Sequence, residues 1–246
     1  DPDWSRGLGD VYKRQGTVHD VPNQLGMLSS ISKEAIRIDD EDEALEKLIY
    51  ACKIALTPPK GPVSIEIPID IQRKKIKRPA LLDTISLPHI NGELGDTKSL
   101  DKIENYIKSS KRKIIWVGNG AKFATEEVNL FIKMGFAVVT STQGRGVVSE
   151  TNKMCLGSFN SVPLIEEFYK TLDLMLVVGS RLRGHETRDM SLELPKYLLQ
   201  IDIDPSAKNR TYKTNQFHCG DAKKVLAELA KSCLLYTSDA ADDTRS

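Results

Sequence analysis

The sequence predicts an α/β protein: a doubly wound parallel sheet of Rossmann-like type, preceded by a partial α/β domain. Three observations carry this. From Lys98 onward, segments with apolar residues at helical spacing alternate with short apolar runs. The runs 114–117, 137–139, 174–178 and 197–202 are nearly continuous in apolar character, as in strands covered by helices on both faces. Glycines and aspartates follow the runs, which puts turn-forming residues at strand ends. Alternating helix and strand implies parallel order with right-handed crossovers.

Taken in order, Asp39-Asp40 and the acids after them predict a helix start, because carboxylates accept the free amides of a first turn. Leu45, Leu48, Ile49, Cys52 and Leu56 then share one helical face. Residues 57–62 read as a breaker-rich turn, and 63–67 as a strand ended by Pro68. This is the tail of an α/β unit, covering 16–71. Residues 72–97 open with basic side chains and then carry Pro79, Pro88, Asn91, Gly92 and Gly95 with little periodicity. They predict an extended linker. The regular domain spans 98–232. Helices are expected near 99–109, 126–134 and 164–169, with a short fifth strand at 217–219 and a closing helix over 223–231.

The two ends read differently. Residues 10–15 can be back-translated as GATGTGTATAAGAGACAG, and 233–238 as TGTCTCTTATACACATCT. The second string is the reverse complement of the first, apart from overhang. Both resemble a transposon end used to tag DNA for sequencing. Residues 1–15 and 233–246 are therefore expected to be translated adapter, set aside before fold reasoning, and the chain between them a fragment.

Charge and cysteines narrow the partners. Asp1, Asp3 and Asp10 cancel Arg6, Lys13 and Arg14, whereas Asp239, Asp242 and Asp243 outnumber Arg245. The formal +1 overall thus becomes about +3 between the flanks. With no basic block interleaved with aromatics, no nucleic-acid partner is expected. No apolar run reaches spanning length, so no membrane is expected either. Cys52, Cys155 and Cys219 lack metal-ligand spacing and do not form a disulfide framework, which points to a reducing, cytoplasmic setting. No metal site is expected within the chain.

In an open parallel sheet, ligands bind outside the carboxyl ends of the strands. Gly118 and Gly120 follow one run there. Their amides could approach a phosphate, or they could form a tight turn that binds nothing. The 141–146 loop follows the next run, with Gly144-Arg145-Gly146 between polar side chains. Gly179-Ser180-Arg181-Leu182-Arg183-Gly184-His185-Glu186 follows the third. Arg181 and Arg183 could serve a diphosphate, or pair with Glu186 or Asp189 on a solvated loop. Asp202 and Asp204 end the fourth run, where an acid can take ribose hydroxyls or cap a turn. Asp221 reads first as a helix cap. No nucleophile elbow, phosphate loop with lysine, or zinc-protease motif occurs.

The order of these motifs resembles the thiamine diphosphate enzymes of the acetolactate synthase and 2-oxoacid decarboxylase superfamily. The matching pieces are 61–70 (GPVSIEIPID), 117–120, 142–146, 178–181, 200–205 and 220–222, which together cover nearly all of 16–232. The resemblance implies a subunit of three domains: pyrimidine-binding, central and nucleotide-binding-like, then diphosphate-binding. This chain would hold the end of the first and nearly all of the second. The family's cofactor-activating glutamate lies upstream of Gly16, and its Gly-Asp-Gly…Asn motif for magnesium and diphosphate lies downstream of Ser232. The parent is thus expected to use thiamine diphosphate and Mg2+ on a small 2-oxoacid, as a carboligase (transferase) or decarboxylase (lyase). It is expected to be a homodimer or homotetramer, and the fragment alone inactive.

The family's central domain holds FAD, ADP or nothing. For a nucleotide here, the resemblance implies Gly118, Gly120, Ser180, Arg181, Asp202 and Asp204. The 182–185 stretch departs from the acidic continuation common in acetolactate synthases, which counts against FAD. His19 and Asp20 fall where such enzymes place residues facing the substrate, although both also suit a polar loop. Two other readings stay open: a nicotinamide-nucleotide-binding module, and a non-catalytic structural or interaction domain.

Overall fold

The computed structural model describes residues 21, 23–86 and 92–243, with side chains as far as 233. The chain divides into two compact units, 1–91 and 92–246.

The first unit begins with α1 (Gln24–Ile31), capped by Asn23, whose Oδ1 accepts the Gly26 amide at 2.8 Å. Then come β1 (Glu34–Arg37), α2 (Ala44–Leu56), β2 (Val63–Glu66) and the single turn α3 (Ile69–Gln72). β1 and β2 pair in parallel, with Ile36 opposite Ile65. Residues 80–83 form a 3-10 turn. Neither α1 nor β1 is evident in the sequence: no residue of α1 is buried, so it shows no core-facing stripe, and β1 is four residues of mixed polarity. The acidic helix start also differs from expectation. Asp40 accepts the Asp42 amide at 2.9 Å in a turn before the helix, and Glu43, the cap of α2, makes no side-chain capping bond.

The second unit contains α4 (Thr97–Ser109), β3 (Lys113–Val117), α5 (Thr125–Lys133), β4 (Ala137–Thr140), α6 (Pro163–Lys170), β5 (Leu174–Val178), β6 (Tyr197–Asp202), β7 (Gln216–Cys219) and α7 (Ala222–Asp243). Its five strands are all parallel, in the order β4-β3-β5-β6-β7. Alternate residues of each strand enter opposite cores. Ile115, Val117, Val138, Leu174, Leu176, Val178, Leu199 and Ile201 pack with α4, α5 and α7. Ile114, Trp116, Val139, Met175, Val177 and Leu198 pack with α6 and the 179–196 loop. The chain runs outward from β3 to β4 over the first face and back from β4 to β5 over the second. Reversing direction while keeping one crossover hand requires that change of face. The doubly wound parallel architecture expected from the apolar runs is therefore present.

Capping follows the local chemistry. Asp96 accepts the Lys98 and Ser99 amides and starts α4, and Asp221 accepts the Lys224 amide at 3.1 Å and starts α7. Asp173 ties the amino ends of β3 and β5 together by accepting the Lys111 and Arg112 amides at 2.9 and 2.8 Å. Those bonds hold its carboxyl below the usual carboxylate range. The outer edge of β4 is covered by the 154–157 segment, where Val138 donates to Met154 O and Leu156 to Val138 O, both at 2.8 Å. Among the described residues, no helix is long and apolar enough to cross a membrane.

Candidate functional site

The carboxyl ends of the second unit's strands are stitched to one another by backbone bonds. Ser141 N donates to Val117 O at 2.8 Å and Gly118 N to Val178 O at 2.8 Å. Gly179 N donates to Ile201 O at 2.9 Å and Gly220 N to Asp202 O at 3.0 Å. The rim thus runs from β4 to β7 through consecutive strand ends. The close approach explains the glycines. A Cβ on Gly118 would stand 2.2 Å from Gly179 O, and one on Gly144 2.1 Å from Val117 O. Gly179 also has φ +60, a region that side chains rarely adopt.

This packing changes what Gly118 and Gly120 can offer a ligand. The Gly118 amide is engaged by Val178 O, and the Gly120 amide donates to Gly179 O at 3.0 Å. These glycines bring two loops together, and their own amides are taken up within the protein. Ser180 is buried: its hydroxyl accepts the Leu182 amide at 3.3 Å, and its carbonyl accepts Gln200 Nε2 at 3.0 Å.

Arg181, Asp202 and Asp204 form one corner at the ends of β5 and β6. Arg181 is partly exposed, and its guanidinium donates to Asp204 Oδ2 at 2.8 Å. Its acidic partner is therefore Asp204 rather than the Glu186 or Asp189 of its own loop. Asp204 Oδ1 accepts the Ser206 amide at 2.9 Å, capping the 205–207 turn. The Ser206 hydroxyl and amide, together with Arg181, lower the Asp204 pKa against the opposing effect of burial. Asp202 is buried, with Oδ1 accepting the Asp204 amide at 2.9 Å. Burial raises its pKa, and the Asp204 amide and Arg181 offset part of the rise.

Glu186 has a role that the sequence does not signal. It is buried, and Oε1 accepts the Thr142 amide at 2.7 Å, joining the loops after β4 and β5. Its partner lies 44 residues away, beyond any local motif. His19 and Asp20 lie outside the described residues. Among the described residues, no group of three or more His, Cys, Asp or Glu side chains could hold a metal ion.

Comparison with known proteins fits this geometry. Residues 100–229 match the family model described as thiamine pyrophosphate enzyme, central domain. The acetolactate synthase large subunit of Haemophilus influenzae is 27% identical over 217 residues, covering 84% of this chain and 37% of that protein. The large subunit of Corynebacterium glutamicum is 24% identical over 221 residues, covering 84% and 34%. Maize chloroplastic acetolactate synthase 1 is 25% identical over 204 residues, covering 80% and 32%. The chain thus spans about a third of the length of these curated relatives. A solved structure described as a thiamin diphosphate-dependent enzyme candidate from Mycobacterium smegmatis superposes with a TM-score of 0.62 at 22% identity, over 79% of this chain and 38% of that one.

Two outcomes follow from the rim. Gly118→Ala should cost about 1–3 kcal/mol in urea unfolding, the usual scale of overpacking; a loss below about 0.5 kcal/mol would show that the two loops part freely. Asp202→Asn keeps an oxygen acceptor and removes the charge. Because the folded pKa of Asp202 is raised, its ionisation works against folding once pH exceeds the unfolded value. The variant should therefore unfold at higher urea than the parent at about pH 7 and match it near pH 3. An equal difference at both pH values would detach the effect from ionisation.

Proposed function

We propose, from the premise that this chain belongs to the thiamine pyrophosphate enzymes and carries their central domain, that the whole protein is an acetolactate synthase-like carboligase or decarboxylase of 2-oxoacids. The supporting observation is the ordered set of strand-end loops in the second unit, within a match spanning residues 100–229. In this reading, residues 16–71 close the pyrimidine-binding domain, 72–97 link, and 98–232 form the central domain. The flanks 1–15 and 233–246 are translated adapter. The parent is a cytoplasmic homodimer or homotetramer.

Thiamine diphosphate, when bound, supplies the electron sink that lets a 2-oxoacid lose carbon dioxide. In this reading its magnesium is held by the Gly-Asp-Gly…Asn motif expected downstream of Ser232. What this chain's residues suit is a nucleotide such as FAD or ADP. Arg181 would meet the diphosphate as a planar, always-charged donor. Asp202 and Asp204 would take ribose hydroxyls. Gly118 and Gly120 would shape the floor, and Ser180 would hold the turn beneath Arg181. His19 and Asp20 stay substrate-side candidates.

One observation favours a second reading. Engagement of the Gly118 and Gly120 amides within the protein suits a central domain that is structural and binds no nucleotide.

The uninterrupted gene decides the larger reading. The whole protein, given thiamine diphosphate, magnesium and a 2-oxoacid, should release carbon dioxide, and the 246-residue chain should release none. A whole protein lacking both the upstream glutamate and the downstream Gly-Asp-Gly…Asn motif, and inactive, would sink the proposal. For the nucleotide, calorimetry with ADP and FAD should detect binding. Arg181→Ala should weaken it by about 1–3 kcal/mol, the scale of charge-assisted hydrogen bonds. Unchanged affinity would remove Arg181 from the site, and no binding of either nucleotide would favour the structural reading.

A further inference from the structure

Away from the strand-end loops, the second unit carries an open groove of about 450 Å³, lined by Lys102, Asn105, Tyr106, Ser109 and Gln216. That volume falls within the roughly 300–1,000 Å³ range of small-molecule sites. The four α4 residues stand at positions i, i+3, i+4 and i+7, so they share one side of the helix. The core is met by a different stripe, Leu100, Ile103 and Ile107. Gln216 opens β7, and Tyr197, whose ring packs against Tyr106, opens β6. The groove therefore lies at the amino ends of these strands, and the Arg181–Asp204 corner at the other end. The six residues of β6 put about 16 Å between Tyr197 and Asp202.

The lining side chains keep polar atoms to spare. Among the described residues, Lys102 and Asn105 make no side-chain hydrogen bond or ion pair. Gln216 Nε2 donates to Phe217 O at 3.2 Å, which engages one end of its amide only. Ser109 Oγ donates to Tyr106 O at 3.1 Å and keeps its lone pairs. The Tyr106 ring is held in place, 5.1 Å from the Tyr197 ring at 55°, and Lys196 Nζ stands 5.0 Å from the Tyr197 centroid. The surroundings are basic. Residues 98–113 carry six Lys or Arg against Asp101 and Glu104, and Glu104 is paired with Lys108. An anion is therefore favoured here over a cation.

We propose that this groove is a ligand site for a nucleoside monophosphate, separate from the Arg181 corner. Each side chain has a part that matches. A lysine ammonium suits a phosphate as a point charge. The carboxamides of Asn105 and Gln216 carry a donor and an acceptor side by side, the pattern that pairs with the edge of a nucleobase. The held ring of Tyr106 offers a stacking surface open to any base. A bare anion would use Lys102 and leave the two amides and the ring without a role. The inference does not depend on whether a nucleotide binds at the carboxyl ends of the strands.

Calorimetric titration of the 246-residue chain with AMP, GMP, CMP and UMP, with their nucleosides and with inorganic phosphate, tests it. At least one monophosphate should bind, and more tightly than its nucleoside or phosphate alone. Lys102→Met should weaken that monophosphate about tenfold, the scale of one charge-assisted hydrogen bond, and leave the nucleoside unchanged. Asn105→Leu should weaken both. Lys102 and Asn105 are exposed, so neither variant should move the thermal midpoint. Arg181→Ala should leave the binding intact. Binding that Arg181→Ala removes and Lys102→Met spares would place the nucleotide at the strand ends and overturn the proposal. So would binding of none of the four, or equal weakening of nucleotide and nucleoside by Lys102→Met. Phosphate that binds as tightly as the nucleotide would also overturn it, since the anion would then be the whole ligand.

Discussion

Close approach of backbones at the carboxyl ends of the strands is the constraint on which the second unit depends. Each strand end donates an amide to, or receives one from, the neighbouring strand end, from Ser141 through Gly118 and Gly179 to Gly220. A side chain at Gly118 or Gly144 would meet a carbonyl oxygen at about 2 Å. The glycines that first suggest a phosphate loop are thus fixed by packing, whether or not a ligand is present. In many nucleotide folds, glycines leave amides free to point at phosphate. Here the Gly118 and Gly120 amides already have acceptors within the protein.

Much of the second unit is legible in the sequence because its signals are local. The run 174–178 and the run 197–202 coincide with β5 and β6. Every residue of β5 is buried, so an unbroken apolar stretch is its natural signature. Asp221 reads as a cap and is one. The first unit is less legible for the same reason. Its α1 buries no side chain fully, and β1 mixes Glu34 and Arg37 with Ala35 and Ile36. Asp39-Asp40 resembles a helix start because acids cap turns and helices alike; the chain uses Asp40 in a turn. At the candidate site, residue types point to the strand ends, but pairings across the sequence do not announce themselves. Arg181 finds Asp204 and Glu186 finds Thr142 only through the order of the strands.

Among the described residues, buried polar atoms without a partner occur in both units: Glu66 Oε2 in the first, and Trp116 Nε1, Glu127 Oε2, Thr140 Oγ1, Asn160 Oδ1 and Tyr169 OH in the second. In the second, the buried acids at the rim mostly have donors: Asp202 and Asp204 take backbone amides, and Glu186 takes Thr142. In the first, Glu66 holds Arg37 with one oxygen and leaves the other without a donor. Water would satisfy an exposed carboxylate, but Glu66 is closed to it.

The Arg181–Asp204 pair explains how the candidate corner could be both ordered and ready. Arg181 is partly exposed, so the pair contributes little to stability, on the order of 0–1 kcal/mol for such pairs. Its value lies in position. Asp204 is fixed by capping the 205–207 turn, and it holds the guanidinium at the end of β5 rather than leaving it to sweep through solvent. Asp202 sits behind it, buried at the end of β6, with one oxygen committed to the Asp204 amide. The order is therefore imposed by the backbone, through a capped turn and a strand end, and the arginine inherits it. A ligand that engages Arg181 would meet a guanidinium resting beside Asp204, and freeing it would cost little. Under the proposed nucleotide reading, that weak pairing lets Arg181 turn from Asp204 to a diphosphate at little cost.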